Sequence, residues 1–144
     1  EALTGCRVVE AYGLSEASPG VTINPVEGPI KEMSIGQPIP GTIVSLRDPA
    51  NPALEVPPGE KGEICIKGPQ VMKGYWKRPA ETAQQMTPDG YLRTGDIATM
   101  DEEGFLFIVD RIKDLITFVN EGVSAEGGAL TIFSAANIAG ALVG

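Results

Sequence analysis

Glycine and proline punctuate this chain so closely that short strands, turns and loops are favoured over long helices. The 144 residues include 18 glycines and 12 prolines. Glycine loses more backbone freedom on ordering than any other residue, and proline removes a hydrogen-bond donor. They gather as turn chemistry at Asp48-Pro49-Ala50-Asn51-Pro52, at Pro57-Pro58-Gly59-Glu60-Lys61-Gly62 and at Thr87-Pro88-Asp89-Gly90.

The segments between the turns read as strands. In Thr42–Arg47, Val44 and Leu46 share one face while Ser45 and Arg47 share the other, a period of two. Glu63–Lys67 follows the second turn. Ile97–Met100 and Phe105–Val109 read as a pair joined by Asp101-Glu102-Glu103-Gly104, with Gly104 supplying a left-handed residue. Arg7–Tyr12 is a short strand entering a loop at 13–20, and 21–35 is loop-like, broken by Pro25, Gly28 and Pro29. Pro79–Met86 is the clear helix before the tail, with Pro79 at a first helical position. The expected class is α+β and β-rich, mostly antiparallel, with few short helices.

Composition excludes several functions. The net charge is −8 and no basic run is present, which argues against a nucleic-acid partner. The chain has no histidine, so Ser-His-Asp and Cys-His mechanisms lack their base. Cys6 and Cys65 form no CxxC pair and cannot fill a zinc shell. Two lone cysteines fit small buried hydrophobes in a reducing compartment. No basic and apolar leader follows Glu1, and the first residue reads as a cut edge within a longer protein. No lysine or arginine follows Lys113, and no charge follows Glu126. The last 18 residues, 127–144, reach the lower length limit for a membrane span. Their Gly, Ser, Thr and Asn content makes them weakly apolar, and they are not read as one.

Four groups of residues can carry chemistry. Asp96 follows Thr94 and Gly95, small enough for a ligand to approach the backbone. Its carboxylate can accept from a diol, as in ribose recognition, or bond its own turn. Tyr12 before Gly13 can stack on a base or serve as a core tyrosine. Ser15 and Glu16 offer oxygens that suit Mg²⁺ bound with phosphates, or a helix start capped by Ser15. Arg111 and Lys113 can meet phosphate or ribose oxygens, or pair with Asp110 and Asp114.

The order of the motifs says more than any one of them. Tyr12-Gly13-Leu14-Ser15-Glu16 is followed by Ser34-Ile35-Gly36-Gln37-Pro38, Gly62-Glu63-Ile64, Gly74-Tyr75-Trp76, Thr94-Gly95-Asp96 and Asp110-Arg111-Ile112-Lys113-Asp114. This series resembles the adenylate-forming (AMP-binding) superfamily. Val56-Pro57-Pro58-Gly59, Lys67-Gly68-Pro69-Gln70-Val71-Met72 and the run 96–105 are similar to its long-chain fatty-acid–CoA ligases.

The resemblance implies an enzyme that forms an acyl-adenylate from ATP and a carboxylic acid, then passes the acyl group to coenzyme A. It implies Tyr12 against adenine and Gly13 where adenine and acyl carbonyl meet. Ser15 would contact the α-phosphate and Glu16 would hold Mg²⁺. Asp96 would bind the ribose hydroxyls and Arg111 the ribose or phosphate. Lys113 would be the hinge position. Tyr12 and Asp96 are then expected on opposite sides of one nucleoside-sized cleft. Residues 1–110 resemble the barrel-like, β-rich end of the large AMP-binding domain and 111–116 its hinge. Residues 117–144 read as an atypical tail, a diverged or non-native start of the small domain. The family's Gly-rich, Ser/Thr-rich phosphate loop has no counterpart in these residues, and its late catalytic lysine none after Lys113. Implied partners are ATP, a fatty or other carboxylic acid, coenzyme A and the rest of a parent enzyme. The expected location is cytoplasmic, with peripheral membrane association. Sibling readings are an aryl-acid ligase, a peptide-synthetase adenylation domain or a non-catalytic nucleotide-binding remnant.

Overall fold

The turn clusters decide where the chain reverses, and the alternating segments between them pair as neighbours. A computed structural model describes residues 8–111. Strands β1 (Ala11–Gly13), β2 (Gly20–Ile23) and β3 (Gln37–Pro38) form one antiparallel sheet in that order. Strands β4 (Ile43–Arg47), β5 (Gly62–Lys67), β6 (Leu92–Met100) and β7 (Leu106–Arg111) form a second. Helix α1 (Pro79–Gln85) ends one residue earlier than the sequence suggested. Thr82 Oγ1 accepts the Tyr75 N–H at 2.9 Å, tying the helix to the loop before it.

β5 is the spine. Gly62 through Ile66 are all buried, because β4 and β6 flank the strand and both of its faces are covered. Ile64 and Ile66 join Leu46, Leu92, Ala98 and Leu106 in a core that also takes Tyr12, Ala17 and Val21 from the first sheet region. Each fully buried aliphatic side chain contributes about 1.5–3 kcal/mol. Val44 and Leu46 face this core, as their period predicted.

The opposite face of β4 is buried at Ser45 and Arg47. Arg47 is 4% exposed. It donates to both carboxylate oxygens of Asp89, at 3.0 and 2.7 Å, to the Pro52 carbonyl at 2.9 Å and to Ser45 Oγ at 3.0 Å. Its guanidinium lies 4.2 Å from the Tyr91 ring centre. A buried cation is tolerated when its donors are satisfied in this way. Beside it, burial and then the nearby Glu63 push the Cys65 thiol up to about 12.

The Arg47–Asp89 pair carries a pH signature. Hydrogen bonds from Arg47, then from Thr87, lower the Asp89 carboxyl to about 2. A depressed folded pKa means that the stabilisation is present above the unfolded carboxylate value and is lost as pH falls through about 2. Urea unfolding between roughly pH 5 and 2 should therefore show wild type losing more stability than Asp89→Asn, measured as the slope of the unfolding midpoint with pH.

A seam joins the two sheets. The Ile35 N–H donates to the Leu106 carbonyl at 2.9 Å, and the Leu106 N–H donates to the Gly36 carbonyl at 3.0 Å. Ser34 Oγ donates to the same Leu106 carbonyl at 2.9 Å and accepts the Gly36 N–H at 2.9 Å.

Three expectations need correction or closing. The stretch expected as loop from 21 to 35 begins with strand residues, since β2 spans Gly20–Ile23 and pairs with both β1 and β3. The strand expected over Arg7–Tyr12 is Ala11–Gly13. The connector after β6 turns with Gly104 at φ +82, as expected, and Lys31 pairs with Asp101 and Glu103 across it. Cys6, Lys113, the hinge beyond Arg111 and the tail 117–144 lie outside the described residues. Among the described residues, no helix is long and apolar enough to cross a membrane.

Candidate functional site

The site begins with a fault in a strand. Glu63 faces Ile97 across the β5–β6 ladder, but Cys65 faces Arg93, so two steps on β5 meet four on β6. The surplus falls on Thr94-Gly95-Asp96, which the sequence had suggested lies between a turn and a strand. It lies within β6 instead, as a bulge. Gly95 adopts φ +78, a conformation that side chains resist. Thr94 Oγ1 accepts the Asp96 N–H at 3.2 Å and donates to the Ile64 carbonyl at 2.8 Å. Bulges of this kind re-aim a side chain, and here the one re-aimed is Asp96.

Asp96 meets two partners from distant parts of the chain. The Tyr12 hydroxyl donates to Oδ2 at 2.7 Å, and Arg111 Nε donates to Oδ1 at 2.9 Å. Asp96 and Arg111 are also directly opposite in the β6–β7 ladder, where opposite charges attract. Tyr12 and Asp96 are both buried, while the Arg111 side chain is 34% exposed. Burial, and next the Asp96 charge, push the Tyr12 phenol far above its ordinary value, so it stays a donor. The two groups expected across an open cleft thus converge, but in direct contact. Tyr12 points into the seam between the sheets, and a buried hydroxyl there requires an acceptor. Each carboxylate oxygen has more than one lone pair, so Asp96 can still accept from a neutral hydroxyl approaching beside Arg111.

The rest of the first motif follows Tyr12 in the chain. A Cβ on Gly13 would lie 2.0 Å from the Pro19 carbonyl oxygen, so the β1–β2 reversal itself demands glycine there. Ser15–Ala17 is a single 3₁₀ turn. Leu14, not Ser15, holds its N-cap, and Ser15 is exposed. Glu16 Oε1 accepts the Tyr75 hydroxyl at 2.8 Å, and its carbonyl accepts the Met72 N–H at 2.7 Å. Among the described residues no cluster of three Cys, Asp or Glu side chains forms a metal cage. A single half-buried carboxylate held from one side by Tyr75 does fit Mg²⁺ that takes its other ligands from phosphate and water.

Tyr12, Asp96 and Arg111 are therefore brought into contact, and Gly13, Ser15 and Glu16 follow directly in the chain. Sequence reasoning quoted Tyr75 and Glu63 within motifs without giving either a role. The signal for Glu63 was present: a carboxylate inside the strand Glu63–Lys67, which otherwise reads as apolar at Ile64, Cys65 and Ile66.

Residues 1–76 match the family described as AMP-binding enzyme. The chain belongs to the AMP-binding enzyme family. Within it, the chain is 54% identical over 114 residues to the long-chain-fatty-acid–CoA ligase of Escherichia coli O6:H1, covering 79% of this chain and 20% of that protein. It is 52% identical over 116 residues to the corresponding ligase of Bacillus subtilis strain 168, covering 81% of this chain and 20% of that one. The chain thus spans about 20% of the length of these curated relatives. Among solved structures, ATP-bound MatB from Rhodopseudomonas palustris superposes with a TM-score of 0.72 at 39% identity, over 78% of this chain and 22% of that one.

Proposed function

We propose that this chain is the nucleoside-holding part of an ATP-dependent acid–CoA ligase that activates a fatty acid as its acyl-adenylate and transfers it to coenzyme A. The identity to long-chain ligases supports the fatty-acyl substrate class, and the likeness to ATP-bound MatB supports the nucleotide. The observation that carries the reading is the convergence of Tyr12 and Arg111 on the Asp96 carboxylate.

In this reading Asp96 accepts the ribose hydroxyls, and Arg111, the most exposed of the three, reaches ribose or phosphate oxygens. Tyr12 is 6% exposed, so adenine meets only the margin of its ring. Its main contribution is to fix one oxygen of Asp96 so that the other side stays directed at the ligand. Gly13 lines the junction of adenine and acyl carbonyl, and Ser15 contacts the α-phosphate. Glu16, braced by Tyr75, helps to hold Mg²⁺, which when bound offsets phosphate charge. Residues 1–110 end the large domain, 111–116 with Lys113 form the hinge, and 117–144 begin the small one. Most of the coenzyme A site belongs to the remainder of the parent enzyme. A cytoplasmic protein working at a membrane face, where fatty acids partition, and with no nucleic-acid partner, fits the same reading.

The 144 residues contain no Gly-, Ser- and Thr-rich phosphate loop and no lysine after Lys113. The chain alone is therefore expected to bind ATP weakly and to release neither pyrophosphate nor acyl-CoA. NMR titration with ATP should shift the resonances of Tyr12 and Asp96; no shift at saturating nucleotide overturns the site. Acyl-CoA formation clearly above background overturns the assignment of the missing steps to the rest of the enzyme.

A further inference from the structure

Glu63 places a carboxylate in the most buried strand of the protein, at 1% exposure. Both of its oxygens are committed. Oε2 accepts Arg93 Nε at 2.9 Å and Arg93 Nη2 at 2.6 Å. Oε1 accepts the Gly95 N–H at 3.0 Å. That N–H belongs to the bulge, where the slipped ladder leaves Gly95 without a counterpart in the β5 register. The side chain of Glu63 supplies the acceptor that the neighbouring backbone does not.

The consequence falls on the next residue. Gly95 and Asp96 are joined by one peptide, and Gly95 adopts φ +78. Thr94 holds the Asp96 N–H from one side. Glu63 holds the Gly95 N–H from the other. Two anchors on successive amides fix the backbone from which the Asp96 carboxylate projects. Arg93 in turn keeps Glu63 from rotating, since its fork takes one oxygen and leaves the other facing Gly95. Packing alone does not call for this arrangement, because an apolar pair of similar volume commonly stabilises a buried site as well as an ion pair does. An apolar side chain could not accept the Gly95 N–H.

We propose that Glu63 is a positioning residue of the nucleoside site: through the bulged Gly95 peptide it sets the direction of the Asp96 carboxylate. The proposal rests on the reading of Asp96 as the ribose acceptor. It is tested in the full 144-residue chain by NMR titration with AMP and with 2′,3′-dideoxy-AMP. Wild type should prefer AMP, and Glu63→Gln should reduce that preference about tenfold, the scale of one well-directed hydrogen bond to a charged group. A wild type that binds both nucleotides equally removes the ribose role of Asp96, and the proposal with it. A wild type that discriminates and a Glu63→Gln variant that discriminates equally well leave Asp96 standing and overturn the positioning role alone. If Glu63→Gln does not fold, Arg93→Lys replaces it; that change keeps the charge, removes the fork and should weaken the preference, and an undiminished preference overturns the proposal. Asp89→Asn is the control for general destabilisation. It should lower the melting temperature and keep the preference for AMP. Loss of preference in that variant shows that destabilisation alone erases the discrimination and overturns the specific role of Glu63.

Discussion

Gly36→Ala is expected to abolish the folded state near room temperature. A Cβ at this position would lie 2.0 Å from the Ile23 carbonyl carbon, 2.2 Å from its oxygen and 2.3 Å from the Asn24 nitrogen. All three are backbone atoms of β2 and its exit, so no side chain can swing aside. Gly36 also adopts φ +88, which costs any L-residue a further penalty. The strain falls on the seam, because the Gly36 carbonyl accepts the Leu106 N–H and its N–H donates to Ser34. A loss of about 4 kcal/mol or more belongs to the exceptional class of substitutions and takes up most of a small domain's stability. Circular dichroism with urea unfolding checks it. A midpoint within error of wild type shows that Gly36 does not lie against the β2 backbone as described.

Asp96→Asn should show two losses at once. An amide can accept from Tyr12 or from Arg111 through its single oxygen, whereas the carboxylate serves both. The charge-assisted bonds that the carboxylate accepts from both partners are weakened, at a cost of about 1–3 kcal/mol. The ribose acceptor is weakened in the same step, and AMP affinity should fall at least about tenfold. Thermal melting and NMR titration separate the effects. Unchanged affinity with a lowered melting temperature leaves Asp96 as a structural residue only; unchanged stability refutes its place in the seam. Asp96→Ala should be worse for stability, since both Tyr12 and Arg111 then lose their acceptor. Tyr12→Phe provides the complement: one Asp96 oxygen is no longer fixed, so the melting temperature and the AMP affinity should both fall, each by less than in Asp96→Ala.

Motif order led to the expectation that Tyr12 and Asp96, 84 residues apart along the chain, face one cleft, but not to their direct hydrogen bond. The sequence also revealed β4 through a period of two, β5 through the turn that feeds it and α1 through Pro79. It did not reveal β2. Gly20, Pro25 and Gly28 give that stretch the composition of a loop, and its strand character comes from pairing with β1 and β3, which only tertiary structure supplies. Asp96 was misplaced for a related reason. Thr94-Gly95 has turn chemistry, and a bulge inside a nine-residue strand uses the same residues. The requirement for Gly13 looked like room for a ligand, yet its nearest obstacle is the Pro19 carbonyl. Steric demands made by a chain on itself and by a ligand leave the same letter in a sequence.

The thiol in the middle of β5 has a practical meaning. Cys65 is fully buried, and its high pKa leaves it almost entirely protonated at neutral pH. Alkylating reagents attack thiolates, so they reach this sulfur only after a flanking strand has peeled away. With Cys6 replaced by serine, the rate of Cys65 labelling becomes an internal clock for excursions of the central sheet, read without any probe added to the surface.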